Sequence, residues 1–278
     1  PGEFCYFDSY QDAPDSQPEA IGGYLPLSKV YSFNPVPDTL SADKVQLVYG
    51  VQANLFTEYI PTPEHAEMMI YPRILALAEV AWSAPSVKNY DDFHVRALKE
   101  VEALKAEGYH PFELKNEIGN RPGADQPVQH LAVGKKVAYG PDAAYYPGYS
   151  AGGDSALVDG VIGGWTYGDR RWQGFIDKKR MDVTIDMEKE TEIHSVGADF
   201  MQVCGPEVFM PSEVIISVSN DGKEFTELKR MEHKVVKDDK VTFINFGWEG
   251  NAKARYIRYQ ASSGEFGGFL FTDEIVVK

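Results

Sequence analysis

The chain has 278 residues, 43% of them hydrophobic and 25% charged, with a formal net charge of −15. That mixture is an ordinary globular one with room for two domains. Its acidity argues against a nucleic-acid partner, which needs clustered Lys and Arg. No apolar run approaches the length of about eighteen residues that a membrane span requires. The chain opens Pro-Gly-Glu with no signal peptide, which reads as a processed piece of a longer protein. The only cysteines, Cys5 and Cys204, fall on opposite sides of a change in texture near residue 120. Neither a disulfide framework nor a compartment follows from them.

Taken in chain order, Val45 to Phe56 is largely apolar and predicts a buried strand that runs into a loop at Thr57-Glu58. Thr62 then caps a helix whose first residue is Pro63, where a missing N–H costs nothing. Pro72 should kink or divide that helix before Arg73 to Ser83 continues it. A second helix is predicted over Asp91 to Glu107, with Phe93, Ala97, Val101 and Leu104 on one face and Gly108 as its stop. Strand, helix, helix is the texture of an α/β domain, but about two strands are too few to close a barrel. Residues 116 to 127, dense in Gly, Pro and Asn, read as a linker. Short alternating segments follow: Val214 to Val218, an Asn220-Asp221-Gly222 turn into Phe225 to Leu228, then Val241 to Phe246, Arg255 to Gln260 and Phe269 to Val277. They predict an all-β sandwich of jelly-roll type. The expected organisation is an incomplete α/β domain over 1–115, a linker over 116–129 and a sandwich over 130–278.

Tyr6-Phe7-Asp8 closes a short apolar run, and Glu58 follows directly on the predicted strand. In a barrel of parallel strands, polar residues at strand C-termini face the active site. A carboxylate there accepts hydrogen bonds from sugar hydroxyls, and a tyrosine hydroxyl donates to a carbonyl oxygen. Without further support, strand-end Asp and Glu are more often surface or capping residues. Arg73 and Glu79 lie on a helix that would pack outside such a barrel, which suits structural pairing better than catalysis. The six histidines show no metal-ligand spacing, so no zinc site is expected.

Three segments together resemble the family 20 β-N-acetylhexosaminidases: Tyr6-Phe7-Asp8 with Ile21-Gly-Gly-Tyr-Leu-Pro26, Gly50-Val-Gln-Ala-Asn-Leu-Phe-Thr-Glu58, and Tyr71-Pro-Arg-Ile-Leu-Ala-Leu-Ala-Glu-Val-Ala-Trp-Ser83. Their order and spacing match the end of that family's (β/α)8 TIM barrel, over residues 1 to 110. The resemblance implies a retaining hydrolase in which the substrate's own acetamido oxygen attacks the anomeric carbon. In that scheme an Asp orients the acetamido group and an adjacent Glu is the acid/base. By resemblance Tyr6 would hold the acetamido carbonyl, while Asp8 and Glu58 would bind the O4 and O6 hydroxyls of an N-acetylhexosamine-terminated glycan. Phe56 stands where the family commonly has Trp and offers less stacking area to the sugar. The catalytic Asp-Glu pair sits on an earlier strand in the family. The only Asp-Glu here, Asp273-Glu274, is near the C-terminus and is not that pair. The resemblance also implies a secreted or periplasmic parent and no cofactor for catalysis.

Ala156-Leu-Val-Asp-Gly160, Trp172-Gln-Gly-Phe175, Val183-Thr-Ile-Asp186 and Ser219-Asn-Asp-Gly222 resemble discoidin-type modules, the family 32 carbohydrate-binding and coagulation-factor C-type domains. That likeness implies a structural calcium with Asp159 and Glu274 as ligands and backbone carbonyls completing the shell. The alternative for those two is a turn Asp and a solvated Glu. Trp165, Tyr167, Tyr145 and Tyr146 could stack on a sugar face or cover the sandwich core. Three roles for the polypeptide are therefore open: part of a hexosaminidase, itself inactive; a carbohydrate-binding module; or a scaffold. The exposed edges of an incomplete barrel would also favour covering by another copy, a homo-oligomer.

Overall fold

A computed structural model describes residues 2–141, 143–176 and 181–278. The chain divides into two compact units, Pro1–Gly119 and Asn120–Lys278. In the first, helices dominate: α1 (Gly2–Cys5), α2 (Leu27–Tyr31), α3 (Ala42–Val45), α4 (Pro63–Ile70), α5 (Arg73–Trp82) and α6 (Tyr90–Ala106). The start of α4 follows the local chemistry, since Pro63 is its first residue and Thr62 Oγ1 accepts the His65 N–H at 3.2 Å. Tyr71 is extended ahead of Pro72, and α5 begins afresh at Arg73. On α6 the Asn89 side chain caps the first turn and Phe93, Ala97, Val101 and Leu104 are the buried stripe. Gly108 adopts φ +92° just past its end. These faces close on Phe7, Leu25, Leu27, Val30, Tyr31, Ala76 and Leu77.

The strand expected over Val45 to Phe56 does not form. Its first residue ends α3, the segment continues as irregular chain, and Leu47 and Tyr49 are exposed, Tyr49 to 93%. Among the described residues of this unit, strand pairing is confined to two isolated parallel bridges, Tyr6 with Asn54 and Tyr10 with Tyr24. A barrel strand satisfies its N–H and C=O groups only between two neighbours, and this segment has one short partner.

The second unit holds β1 (Lys136–Tyr139), β2 (Gln173–Ile176), β3 (Met181–Gln202), β4 (Glu213–Ser219), β5 (Thr226–Glu232), β6 (Thr242–Ser262) and β7 (Phe269–Val277), all paired antiparallel. The long strands β3 and β6 run together over nearly their whole length. The first part of β3 also pairs with β1, while Val196 to Met201 pair with β7. Likewise the last residues of β6 pair with β4. Register shifts between Asp186 and Thr191 and between Ile193 and Ser195 bend the ribbon, with Glu188 at φ +70°. The result is a sandwich: one layer runs β1-β3-β6-β4-β5 and the other β2-β7-β3-β6. Between the layers lie Leu157, Met181, Val183, Ile185, Phe200, Ile257, Tyr259 and Ile275.

Val241 to Phe246 and Arg255 to Gln260, expected as separate strands, are one. The intervening glycines mark close approach rather than a turn. A Cβ on Gly247 would meet the Val196 carbonyl at 3.2 Å and Gly197 Cα at 3.3 Å. Because β3 runs on beside this stretch, the ladder continues through it.

Candidate active site

The parallel bridge builds the site in the first unit. Phe7 N–H donates to Asn54 O and Asn54 N–H donates to Cys5 O, both at 2.8 Å. Because the two segments run in the same direction, the residues just beyond the bridge, Asp8 on one and Phe56 and Glu58 on the other, emerge at the same end. Tyr6 and Phe56 lie side by side, ring centroids 5.7 Å apart, and both are substantially exposed. Asp8 is 5% exposed and its Oδ1 is buried without a hydrogen-bond partner. Burial pushes the Asp8 carboxyl up from the usual range, and the neighbouring Glu58 charge pushes it further, while a backbone hydrogen bond and Arg73 pull it down. All four predicted sugar-site residues thus come together on one wall. A cavity of about 600 Å³ opens beside Tyr6 and is lined by Gly2, Cys5, Gly50, Gln52 and Asn54 among others, but not by Asp8, Phe56 or Glu58.

Beneath the site, Arg73 is fully buried on α5. Among the described residues its structural pairing involves no carboxylate: every donor goes to a backbone carbonyl. Glu79 does pair, with Arg96 at 2.7 Å and with the Tyr31 hydroxyl at 3.0 Å.

The Asp-Glu dipeptide of β7 is structural in both members. Asp273 Oδ2 accepts from Arg121 Nη1 at 2.7 Å and from Gly163 N–H at 3.0 Å. Burial holds Asp273 up at about 6 even against that cation. Arg121 also reaches Asp199 and the Gly163 carbonyl and lies over the Trp172 ring, centroid 4.9 Å away. It comes from the stretch expected to be a linker, so that stretch is anchored in part. So is its other end, where the Asp12 carboxylate accepts the Ile118 and Gly119 N–H groups at 2.8 and 2.9 Å.

Glu274 and Asp159 lie side by side, and burial raises both carboxyls. Glu274 Oε1 accepts the Gly160 N–H at 2.9 Å and faces His130 Nε2 at 2.7 Å; His130 and Glu274 side chains are both fully buried. His130 Nδ1 accepts the Ala132 and Val277 N–H groups, which leaves the proton on Nε2 to donate to Glu274. Glu274 Oε2 is buried without a hydrogen-bond partner. Sequence spacing carried no sign of His130, which is 144 residues from its partner.

The aromatic residues in the loops of this unit pack on aromatic side chains of the strands. Tyr167 stacks on Phe271 at 4.7 Å, Trp165 meets Phe243 edge-on at 5.5 Å, and Tyr145 meets Tyr139 edge-on at 5.2 Å. Tyr146 touches Phe269 edge-on yet stays 42% exposed.

Compared with known proteins, residues 1–85 match the glycosyl hydrolase family 20 catalytic domain and residues 142–275 match the F5/8 type C domain. Two segments of the chain are thus similar to two different families, the first to part of a catalytic domain and the second to a discoidin-like β-sandwich. It is 49% identical over 88 residues to a β-hexosaminidase of Porphyromonas gingivalis, an alignment covering 32% of this chain and 11% of that protein. It is 32% identical over 101 residues to a β-N-acetylhexosaminidase of Cellulomonas fimi, covering 36% of this chain and 20% of that protein. The chain thus spans a small fraction of the relatives it matches. Among solved structures, chitosan-binding module 1 of a Paenibacillus chitosanase/glucanase aligns at 17% identity and TM-score 0.37, covering 54% of this chain and 99% of that one. Among the described residues, no helix is long and apolar enough to cross a membrane.

Proposed function

We propose that this chain is the C-terminal part of a β-N-acetylhexosaminidase that removes terminal N-acetylglucosamine or N-acetylgalactosamine from glycans by substrate-assisted retaining hydrolysis. The observation that carries this reading is the convergence of Tyr6, Asp8, Phe56 and Glu58 at one end of a parallel bridge, inside the segment that matches family 20. Tyr6 would hold the acetamido oxygen for attack, Asp8 and Glu58 would take the O4 and O6 hydroxyls, and Phe56 would wall the sugar. The exposed Tyr6 and Phe56 rings and the unpartnered Asp8 Oδ1 support those roles, since an unsatisfied buried acceptor suits a ligand hydroxyl. In the full-length enzyme Tyr6→Phe should lower kcat, because it loosens the attacking oxygen. Glu58→Ala should cost both binding and rate. Unchanged kinetics on a chromogenic N-acetylglucosaminide in both variants would overturn the assignment. A secreted or periplasmic site for the parent fits a glycan substrate. The exposed Leu47, Tyr49 and Trp82 fit covering by a second copy, which sedimentation of the 278-residue chain tests; a monomer would refute it.

For the sandwich, the domain boundaries at 116–129 and 130–278 and a structural calcium belong to the same proposal. Asp159 and the free Oε2 of Glu274 fit a hard cation, which would satisfy an oxygen that is otherwise orphaned. Among the described residues no group of three His, Cys, Asp or Glu is placed to hold a metal ion, so backbone carbonyls would supply the rest. A second reading makes the module a scaffold rather than a glycan binder, supported by the packing of Trp165, Tyr167 and Tyr145 on the strand residues Phe243, Phe271 and Tyr139. A glycan array on the chain separates the two.

A further inference from the structure

We propose that Arg73 is a positioning residue for the sugar-binding carboxylate Asp8, fixing the peptide group that precedes it and the carbonyl of the residue that follows it. An arginine side chain has five N–H donors in a rigid planar fork. Here all five are used. Nη1 donates to Ser9 O at 2.9 Å and to Leu25 O at 3.1 Å; Nη2 donates to Phe7 O and to Met69 O; Nε donates to Met69 O at 3.1 Å. Phe7 and Ser9 are the residues on either side of Asp8. Holding the Phe7 carbonyl fixes the peptide that enters Asp8, and holding the Ser9 carbonyl restrains the chain one residue beyond it. The guanidinium also lies 5.0 Å from the Phe7 ring centroid, so it grips the same residue through a second contact.

A fully buried arginine ordinarily finds a carboxylate, and among the described residues this one has none within hydrogen-bond reach. Burial lowers Arg73 to about 9, and the charge that opposes the fall is Asp8. The charged groups acting on Asp8 are accordingly two: Glu58, which repels, and Arg73, which attracts. With Oδ1 unpartnered in the protein, Asp8 is held by its backbone and by this field, which keeps an acceptor open for a ligand hydroxyl. A lysine at position 73 would keep the charge but supply three donors from a flexible stem, too few to hold four carbonyls.

This inference rests on the reading of Asp8 as a hydroxyl-binding residue, and the test separates the two. In the full-length enzyme, kcat/KM is measured for an N-acetylglucosaminide and for its 4-deoxy and 6-deoxy analogues. The ratio between substrates does not depend on the fraction of enzyme that is active, so partial misfolding of a variant does not disturb it. Wild type should lose about tenfold or more on a deoxy analogue, as expected where a buried acceptor is left unpaired. That penalty should collapse toward unity in Asp8→Asn and also in Arg73→Lys and Arg73→Met, with KM rising more than kcat falls. Either Arg73 variant obtained in soluble form suffices. An undiminished penalty in the Arg73 variants, alongside collapse in Asp8→Asn, would overturn the positioning role. A wild type indifferent to both deoxy analogues would remove the reading of Asp8 itself, and the proposal with it.

Discussion

Replacing Glu117 by Gln should stabilise the first unit at alkaline pH and leave it unchanged in acid. Glu117 lies partly buried next to Asp12, whose carboxylate is committed to the Ile118 and Gly119 N–H groups. Burial first, and the Asp12 charge second, push the Glu117 carboxyl up from its ordinary value of 4.5 to about 7. Between those two values the folded chain binds more protons than the unfolded one, so stability falls as pH rises through that window. Below it the acid is neutral in both states and costs nothing; above it the full penalty is present. A shift of this size is worth about 3 kcal/mol as an upper bound. Partial solvent access reduces that to about 2 kcal/mol, enough to move a melting temperature by several degrees. Gln keeps the shape and removes the charge. The assay is a series of calorimetric melts of wild type and Glu117→Gln between pH 4 and pH 9. The difference between the two proteins should grow from near zero to its maximum across the window. A difference that is flat with pH, or a variant less stable above pH 7, would refute the reasoning. A side effect is expected at Tyr90, held up at about 12 by burial and then by Glu117: its hydroxyl should titrate at lower pH in the variant.

Arg121→Met should destabilise the sandwich by about 3–5 kcal/mol, because it strands the buried Asp273 charge; an unchanged melt would refute this. Calcium should raise the melting temperature of metal-stripped protein by the equivalent of about 2.7 kcal/mol at a hundredfold excess over Kd. The gain should shrink as acid protonates Asp159 and Glu274, and no shift with either calcium or chelator would sink the site. The 278-residue chain should release no chromophore from an N-acetylglucosaminide, since general acid catalysis and acetamido orientation are each worth orders of magnitude. Turnover that survives substitution of both Asp8 and Glu58 would mean the catalytic residues lie elsewhere.

Local rules made α4, α5 and α6 legible, though not the short α1, α2 and α3: Thr62, Pro63, Pro72 and Gly108 each act through backbone geometry that needs no distant partner. The segment from Val45 to Phe56 was misread because a strand is a property of its neighbours, and apolar content alone cannot supply them. The same limit works in reverse in β6, where Val241 to Phe246 and Arg255 to Gln260 read as separate strands until β3 is seen running beside both. For the site, residue types at strand ends favoured surface roles when taken alone, and it was the family resemblance that singled out Tyr6, Asp8, Phe56 and Glu58. Arg73 was visible only as a helical residue, because its partners are main-chain carbonyls and leave no trace in side-chain identity. His130 and Arg121 stayed hidden for a related reason: each meets its carboxylate across more than a hundred residues of chain.

The two long strands of the sandwich have a kinetic consequence. Since β3 and β6 each belong to both layers, neither layer can open while the other stays closed without tearing the same ladder midway. Amide exchange in the two layers should therefore follow a single global opening rather than two separate ones. Even the nearest pair of the ladder, Gln202 with Thr242, lies about 40 residues apart, so a long loop must close before the ladder's first hydrogen bond can form. Folding of this unit should be slow, and all-or-none once begun.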